Sequence, residues 1–225
     1  MIYAKSAKKF SRFRSRRDIP PPIGGVFKRS FDIAAALAGI LVLSPLFVML
    51  VLLVKLSDGG RILYGHARIG RNGRTFRCLK FRTMVENGDQ VLAAHLARNP
   101  QDRDEWTATR KLQNDPRVTR VGGVLRKLSL DELPQIFNIL RGEMSFVGPR
   151  PVVRDELALY GTAANYYLKS RPGLTGLWQV SGRNDVSYRA RVAFDRHYVE
   201  NWSFVFDLKI LIRTVPAVLS SRGSY

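Results

Sequence analysis

The chain has 225 residues, with 37 Lys and Arg against 18 Asp and Glu and a formal net charge of +19. Hydrophobic residues make up 45% of it, which excludes intrinsic disorder of the whole chain. Its single cysteine, Cys78, excludes an intramolecular disulfide and a cysteine-based zinc site, because such sites need several thiolates. The positive charge favours polyanionic partners: nucleic acid, anionic lipid or phosphorylated small molecules.

The N-terminal segment, residues 1–27, is predicted to be a basic, flexible tail. Residues 1–30 hold nine Lys and Arg against one acid, Asp18, and a run of prolines and glycines follows at positions 20–25. Such a segment is either a solvated tail or a clamp for the anionic lipids of a membrane surface. The apolar run that comes next favours the clamp.

Residues 28–56 are predicted to form a membrane helix, because the 22 residues from Ile33 to Val54 carry no charge. Ser44 and Pro45 lie at the centre of this run, where proline removes a helical hydrogen bond. Basic residues flank the run on both sides, so both flanks favour the cytoplasm. This pattern predicts a re-entrant helix broken at Ser44–Pro45, with a kinked spanning helix as the alternative.

Residues 57–225 are predicted to form one α+β catalytic domain that is mostly helical. The Gly70–Gly73 turn predicts a β-hairpin with strands at 61–64 and 75–82. Helices are expected at 89–113, from Ser129, and at 154–169, 187–201 and 207–219, with a glycine-rich loop at 171–183. The helices that carry Trp178, Tyr198 and Trp202 could lie at the depth of the lipid headgroups, where such aromatic residues are favoured. The alternative is that these residues pack in the protein core.

Asp131 and Glu132 are the candidate catalytic carboxylates. One interpretation is structural, since Ser129 and Glu132 have the spacing of a helix capping box. The functional interpretation uses the same position, because a helix N-terminus favours an ionised carboxylate and attracts phosphate. An Asp there can attack phosphorus, or hold Mg²⁺ against a diphosphate.

Phosphoryl chemistry also needs cations to neutralise the phosphate oxygens. The candidate phosphate-binding residues are Lys80, Arg82, Arg126, Arg150 and Arg183. Each alone is typical of a solvated charge, and the chain has neither a Walker A motif nor a dinucleotide fingerprint.

Several short motifs nevertheless occur together and in order. They are K-R-S-F-D from Lys28, S-P at Ser44, K-F-R-T-M from Lys80, L-R-K-L-S-L-D-E-L-P-Q from Leu125, V-G-P-R-P from Val147, R-P-G-L-T-G from Arg171 and S-G-R-N from Ser181. With these motifs the chain resembles bacterial sugar transferases of the monotopic phosphoglycosyl transferase superfamily over residues 28–215. The V-E-N-G-D and R-G-S-Y segments are similar to segments of those family members that start the synthesis of succinoglycan-type exopolysaccharides by transferring galactose 1-phosphate.

The resemblance implies a mechanism and a location. Asp131 would attack the β-phosphate of a UDP-sugar and release UMP, and undecaprenyl phosphate would then accept the sugar phosphate. Glu132 would support Mg²⁺ or proton handling, with Lys80, Arg126, Arg150 and Arg183 binding phosphates. The family also implies a re-entrant helix broken at Ser44–Pro45, at the cytoplasmic face of the bacterial inner membrane.

Other functions remain open at this stage. A non-catalytic membrane-tethered scaffold and a polyanion-binding protein are the alternatives, although no nucleic-acid-binding signature is present. Nothing in the sequence separates galactose from glucose, and homo-oligomerisation stays open.

Overall fold

The computed structural model describes residues 21–182 and 186–219, and it confirms a mostly helical α+β fold. The helices are α1 Gly25–Asp58, α2 Gly88–Arg98, α3 Pro100–Thr109, α4 Arg120–Lys127, α5 Gln135–Arg141, α6 Arg154–Ala158, α7 Ala164–Lys169, α8 Tyr188–Glu200 and α9 Phe204–Leu219. The strands are β1 Leu63–Ile69, β2 Thr75–Phe81, β3 Ser145–Val147 and β4 Gly173–Thr175. Short 3-10 turns occur at Leu130–Glu132, Gly161–Ala163 and Trp178–Val180.

The predicted membrane helix is α1, which is 34 residues long. It begins after Gly24, whose carbonyl accepts from the Lys28 amide at 3.0 Å, and ends before Gly59, whose left-handed backbone stops the helix. Helical geometry continues through Pro45, and the Ser44 hydroxyl donates to the Leu41 carbonyl at 2.8 Å. The predicted turn back to the same membrane face stays a prediction.

The two faces of α1 differ in their surroundings. Ala36, Leu50 and Val54 are buried in clusters shared with β2, α4 and α5. Leu41 and Val42 on the other face are 76% and 74% exposed. Only 11% of the most apolar 18-residue stretch is buried, so α1 is long and apolar enough to enter a membrane and is not a covered core helix.

The predicted hairpin is confirmed, with β1 and β2 antiparallel, but its first strand is Leu63–Ile69 and not 61–64, because the pairing with β2 continues to the turn. Directly opposed residues share a face of a hairpin, so Tyr64 with Lys80 and His66 with Cys78 lie on the same side. The turn contains Asn72 at φ 58°, a left-handed conformation that asparagine tolerates well.

The single helix expected over 89–113 is wrong. The chain forms α2 and α3 instead, because Pro100 occupies the first turn of α3 and ends α2 at Arg98. The region 154–169 is likewise divided, into α6 and α7 with a 3-10 turn between them.

The loop expected at 171–183 contains a strand that the sequence did not indicate. β4 pairs in parallel with β3, and Gly173 donates to the Pro149 carbonyl at 2.8 Å. A Cβ on Gly173 would lie 2.2 Å from the Gly148 nitrogen, so glycine is needed for this approach of two backbones. The V-G-P-R-P and R-P-G-L-T-G motifs therefore pack against one another.

The C-terminal aromatic residues belong mainly to the core, rather than to an exposed interfacial face. Tyr198 is 1% exposed and donates its hydroxyl to Asp207 at 2.7 Å, and Trp178 is also buried. Trp202 is half-buried and donates to the same Asp207 carboxylate. Core packing is thus the interpretation that the structure supports for Trp178 and Tyr198.

Candidate active site

The segment that carries Asp131 starts with a left-handed residue. Ser129 has φ 55° and ψ 20°, and its side chain caps no helix. The capping-box interpretation is therefore wrong, because a capping residue needs extended backbone and a side-chain hydrogen bond. This backbone conformation costs a non-glycine residue about 1–2 kcal/mol, which the surrounding structure must offset. Asp131 and Glu132 follow it in a 3-10 turn.

Lys80 brings the two carboxylates together. Its Nζ lies 2.7 Å from Glu132 Oε1 and 3.3 Å from Asp131 Oδ2. Asn138 of α5 holds β2 in place, because its Oδ1 accepts from the Leu79 amide at 2.9 Å and its Nδ2 donates to the Arg77 carbonyl at 2.8 Å. The helix that follows Asp131 is thus fixed to the strand that supplies Lys80.

Burial and neighbouring charges act in opposite directions on Asp131, which is 7% exposed. Burial raises the pKa of Asp131, Lys80 and Arg126 lower it, and Glu132 raises it, with a net rise above its ordinary value. Burial lowers the pKa of Lys80, but the attraction of Glu132 and Asp131 outweighs it and the net shift is upward. Lys80 is therefore a stable cation on which the charged form of Asp131 depends.

Arg126 reaches the site from α4. Its Nε donates to Thr83 Oγ1 at 2.8 Å, and its charge is one of those that favour the ionised form of Asp131. Gly122 permits this packing, because a Cβ there would lie 2.2 Å from the Thr83 carbonyl oxygen. Thr119 begins the helix by accepting from the Gly122 amide at 2.9 Å.

Arg150 belongs to a second basic group along the hairpin. Its Nη1 lies 3.4 Å from Glu156 Oε1, and Arg68 Nη1 lies 3.5 Å from the other oxygen of that carboxylate. The Arg150 guanidinium also lies 5.8 Å from the ring centre of Trp178. Arg68 was missed by the sequence reasoning, although alternation along β1 places it on the face of Lys80.

His66 lies between these two groups on the shared face. Burial lowers the pKa of His66, and the charges of Arg68 and Lys80 lower it further. Cations therefore lie on both sides of His66, Lys80 on one side and Arg68 with Arg150 on the other, and guanidinium and ammonium groups of this kind bind phosphate.

Two predicted phosphate-binding residues are not part of this arrangement. Arg82 forms ion pairs with Asp58, at the end of α1, and with Glu86, rather than with Asp131 or Glu132. Arg183 lies outside the described residues, so its role stays a prediction.

No group of three or more metal-binding side chains occurs within residues 21–182 and 186–219. The Asp131 and Glu132 carboxylates nevertheless converge on one point, which Lys80 Nζ occupies. One or two carboxylates with substrate phosphates and waters are the usual surroundings of Mg²⁺, so these donors are of the type that the ion takes, but Lys80 Nζ would have to leave the point between them.

An apolar groove of about 460 Å³ lies beside the site. Pro134 and Phe137 come from the segment after Asp131, while Phe47, Val48 and Leu52 come from α1. Ser44 is the one lining residue that is not apolar among the described residues. Phe81, which follows Lys80 directly, also lines the groove, and Pro134 is three residues after Asp131, so the groove lies near the carboxylates and extends along α1.

Comparison with known proteins identifies the family of this chain. Residues 23–221 match the model of the bacterial sugar transferase family. The exopolysaccharide production protein ExoY of Sinorhizobium fredii is 68% identical over 204 residues, which cover 91% of this chain and 90% of that protein. ExoY of Rhizobium meliloti is 67% identical with the same coverage. The chain therefore belongs to the bacterial sugar transferase family.

A third relative has a more specific name. The undecaprenyl-phosphate galactose phosphotransferase of Salmonella typhimurium is 52% identical over 198 residues. These residues are 88% of this chain but 41% of the Salmonella protein, so the similarity covers one part of a longer chain.

Proposed function

We propose that this protein transfers a sugar 1-phosphate, with galactose 1-phosphate favoured, from a UDP-sugar to undecaprenyl phosphate and so starts an exopolysaccharide repeat unit. The observation that carries the proposal is the position of Asp131: its carboxylate contacts Lys80, on the hairpin face that also carries Arg68, and lies near an apolar groove. The names of the ExoY and Salmonella relatives support the reaction class and the sugar.

In the proposed first step the Asp131 carboxylate attacks the β-phosphorus of the UDP-sugar. The bond from this phosphorus to the bridging oxygen breaks, UMP leaves with that oxygen, and the sugar phosphate stays on Asp131. Lys80 and Arg126 neutralise the phosphoryl oxygens, and Arg150 binds phosphate on the other side of His66. Mg²⁺ held by Glu132 with Asp131 would supply further charge neutralisation at the diphosphate.

In the second step an oxygen of undecaprenyl phosphate attacks the same phosphorus. The bond to Asp131 breaks, the carboxylate is regenerated, and the sugar leaves as a lipid-linked diphosphate. The apolar groove supports this step, because its walls, apolar except for Ser44, suit the prenyl chain, whose phosphate end would then lie close to Asp131.

Contacts along α1 support a re-entrant anchor at the cytoplasmic face of the bacterial inner membrane. Lys28 pairs with Asp207 near one end of α1, and Asp58 pairs with Arg82 at the other. A spanning helix would separate its ends by about 30 Å of hydrocarbon and leave only one beside the domain. Both ends contact the same domain here, which favours entry and exit on one side.

The experiment measures UMP release by the purified full chain in detergent with Mg²⁺. UDP-galactose and UDP-glucose are each given with and without undecaprenyl phosphate, beside Asp131→Asn and the matched control Asp104→Asn, an exposed residue of α3. We expect acceptor-dependent UMP that disappears in D131N and persists in D104N. Normal turnover by D131N excludes Asp131 as the nucleophile. If no UDP-sugar in a wider panel is consumed, a non-catalytic scaffold replaces the proposal.

A further inference from the structure

A second basic site lies at the opposite end of the hairpin from Lys80. A pocket of about 320 Å³ is formed by the hairpin turn, the end of α5 and the segment before β4. Its charged lining residues are Arg71, Arg74, Arg141, Arg171 and Glu143. Arg74 and Lys80 are six residues apart along the extended chain, or about 20 Å, so this pocket is separate from the Asp131 site.

This pocket has four arginines and one carboxylate among its lining residues. Its single carboxylate, Glu143, accepts from the Asn138 amide at 2.6 Å. Among residues 21–182 and 186–219, Arg74, Arg141 and Arg171 form no ion pair with a carboxylate. Burial lowers the pKa of Arg171, the charges of Arg29 and Arg71 lower it further, and Asp32 offsets this in part. A bound anion would relieve this repulsion.

Backbone contacts fix the pocket beside the first turns of α1. Arg171 Nε donates to the Gly142 carbonyl at 2.9 Å. Arg29 donates to the carbonyls of Ile139 and Leu140 at 2.5 and 2.8 Å. Arg29 precedes the charge-free run by four residues, or about 6 Å of helix, so the pocket lies at the depth of lipid headgroups once α1 enters the membrane.

We propose that this arginine pocket binds a phosphate group at the membrane surface, supplied by an anionic phospholipid headgroup or by a soluble phosphate. Guanidinium groups suit this ligand, because their planar N–H donors match phosphate oxygens two at a time. Arg74 and Arg141 are exposed at the mouth of the pocket, where they can close on an entering anion. A headgroup bound there would fix the orientation of the domain at the bilayer.

The test compares binding by the full chain in neutral detergent with that of three variants. R74Q/R141Q removes the mouth of the pocket, R74K/R141K keeps its charge, and R98Q changes an exposed arginine at the end of α2. Inorganic phosphate is titrated by calorimetry. Native mass spectrometry counts phosphatidylglycerol and phosphatidylcholine molecules retained from mixed micelles. Circular dichroism verifies that each variant is folded, and single R74Q and R141Q variants serve if the double variant is not.

We expect R74Q/R141Q to weaken binding about tenfold or more, R74K/R141K to weaken it less, and R98Q to leave it unchanged. K80Q and D131N should retain the part of the binding that R74Q/R141Q removes, which separates this proposal from the transferase proposal. Selective retention of phosphatidylglycerol assigns the pocket to a headgroup, and binding of inorganic phosphate alone assigns it to a soluble ligand. The proposal is overturned if neither probe binds the unchanged chain, or if R74Q/R141Q and R98Q bind equally.

Discussion

Lys28 in the first helix and Asp207 in the last form a buried ion pair that joins the two ends of the described chain. Trp202 and Tyr198 donate to the same carboxylate, so the charge of Asp207 is met by three donors. A buried pair of this kind contributes little net stability when intact, but removal of one partner leaves the other charge uncompensated.

Lys28→Met should therefore lower the free energy of unfolding by about 3–5 kcal/mol. Thermal or denaturant unfolding in detergent measures the loss, with Lys111→Met, at an exposed lysine, as the matched control. The double variant K28M/D207L should recover much of the loss, because neither charge is then left alone. Equal stability of K28M and K111M would show that Asp207 finds another partner.

Gly122 and Gly123 provide a paired test of the contact between α4 and Thr83. Gly122→Ala should destabilise the protein by more than 1 kcal/mol and reduce turnover, because its Cβ would meet the Thr83 carbonyl oxygen at 2.2 Å and displace the helix that carries Arg126. Gly123→Ala should be neutral or stabilising by about 0.5–1 kcal/mol, because nothing lies within 4 Å of its Cβ. Unfolding curves and UMP release measure both variants, and similar behaviour of the two would contradict this packing argument.

Lys80→Gln should slow turnover by about 10²–10³-fold and change its pH dependence. Lys80 lowers the pKa of Asp131, so its removal raises that pKa and moves the acid limb of kcat/KM to higher pH. Lys80→Arg keeps the charge and should keep the acid limb near its original position. The pH profiles of kcat/KM for the unchanged protein, K80Q and K80R test this. An acid limb of K80Q at its original pH would contradict the proposed effect of Lys80 on Asp131.

Asp195 should make stability depend on pH. Burial raises the pKa of Asp195 from 3.8 to about 7 in the folded protein, while Tyr160 donates to its Oδ2 at 2.8 Å and lowers it in part. Because the folded state holds this proton more tightly, the stabilisation is complete below pH 4 and is lost as pH rises towards 7. Asp195→Asn should make the free energy of unfolding less dependent on pH between pH 4 and pH 8. If the variant keeps the same pH dependence as the unchanged protein, another group is responsible.

Val48→Trp should obstruct the apolar groove without blocking the donor site. We expect the KM for undecaprenyl phosphate to rise about tenfold, equivalent to losing two buried methylene groups at about 0.8 kcal/mol each. The UMP released in a single turnover without acceptor should not change. Val42→Trp is the control, because Val42 is exposed on α1 but does not line the groove. A raised KM in both variants would point to disturbed membrane insertion instead.

Local sequence patterns predicted the elements that depend on local rules. The hairpin follows from its turn, and the limits of α1 follow from glycines and an uncharged run. Asp131 and Lys80 were both identified, but the ion pair that joins them spans 51 positions of the sequence, and no periodicity encodes it.

The features that were missed depend on tertiary contact. β3 and β4 have three residues each and are paired only because Gly148 and Gly173 allow their backbones to meet. Ser129 resembled a helix cap in sequence, yet its left-handed backbone directs Glu132 to Lys80 instead. Arg68 becomes recognisable only when the register of the hairpin is known.

One face of α1 belongs to the core of the domain and the other is exposed and apolar, and this affects how the protein can be produced. Ala36, Leu50 and Val54 form part of the walls of the catalytic domain, although the opposite side of the same helix faces outward. Deletion of the anchor would therefore strip the domain of core residues and expose the apolar surface beneath it. We therefore expect a fragment that lacks α1 to fold poorly and to aggregate in water, so that purification would need the full chain in detergent.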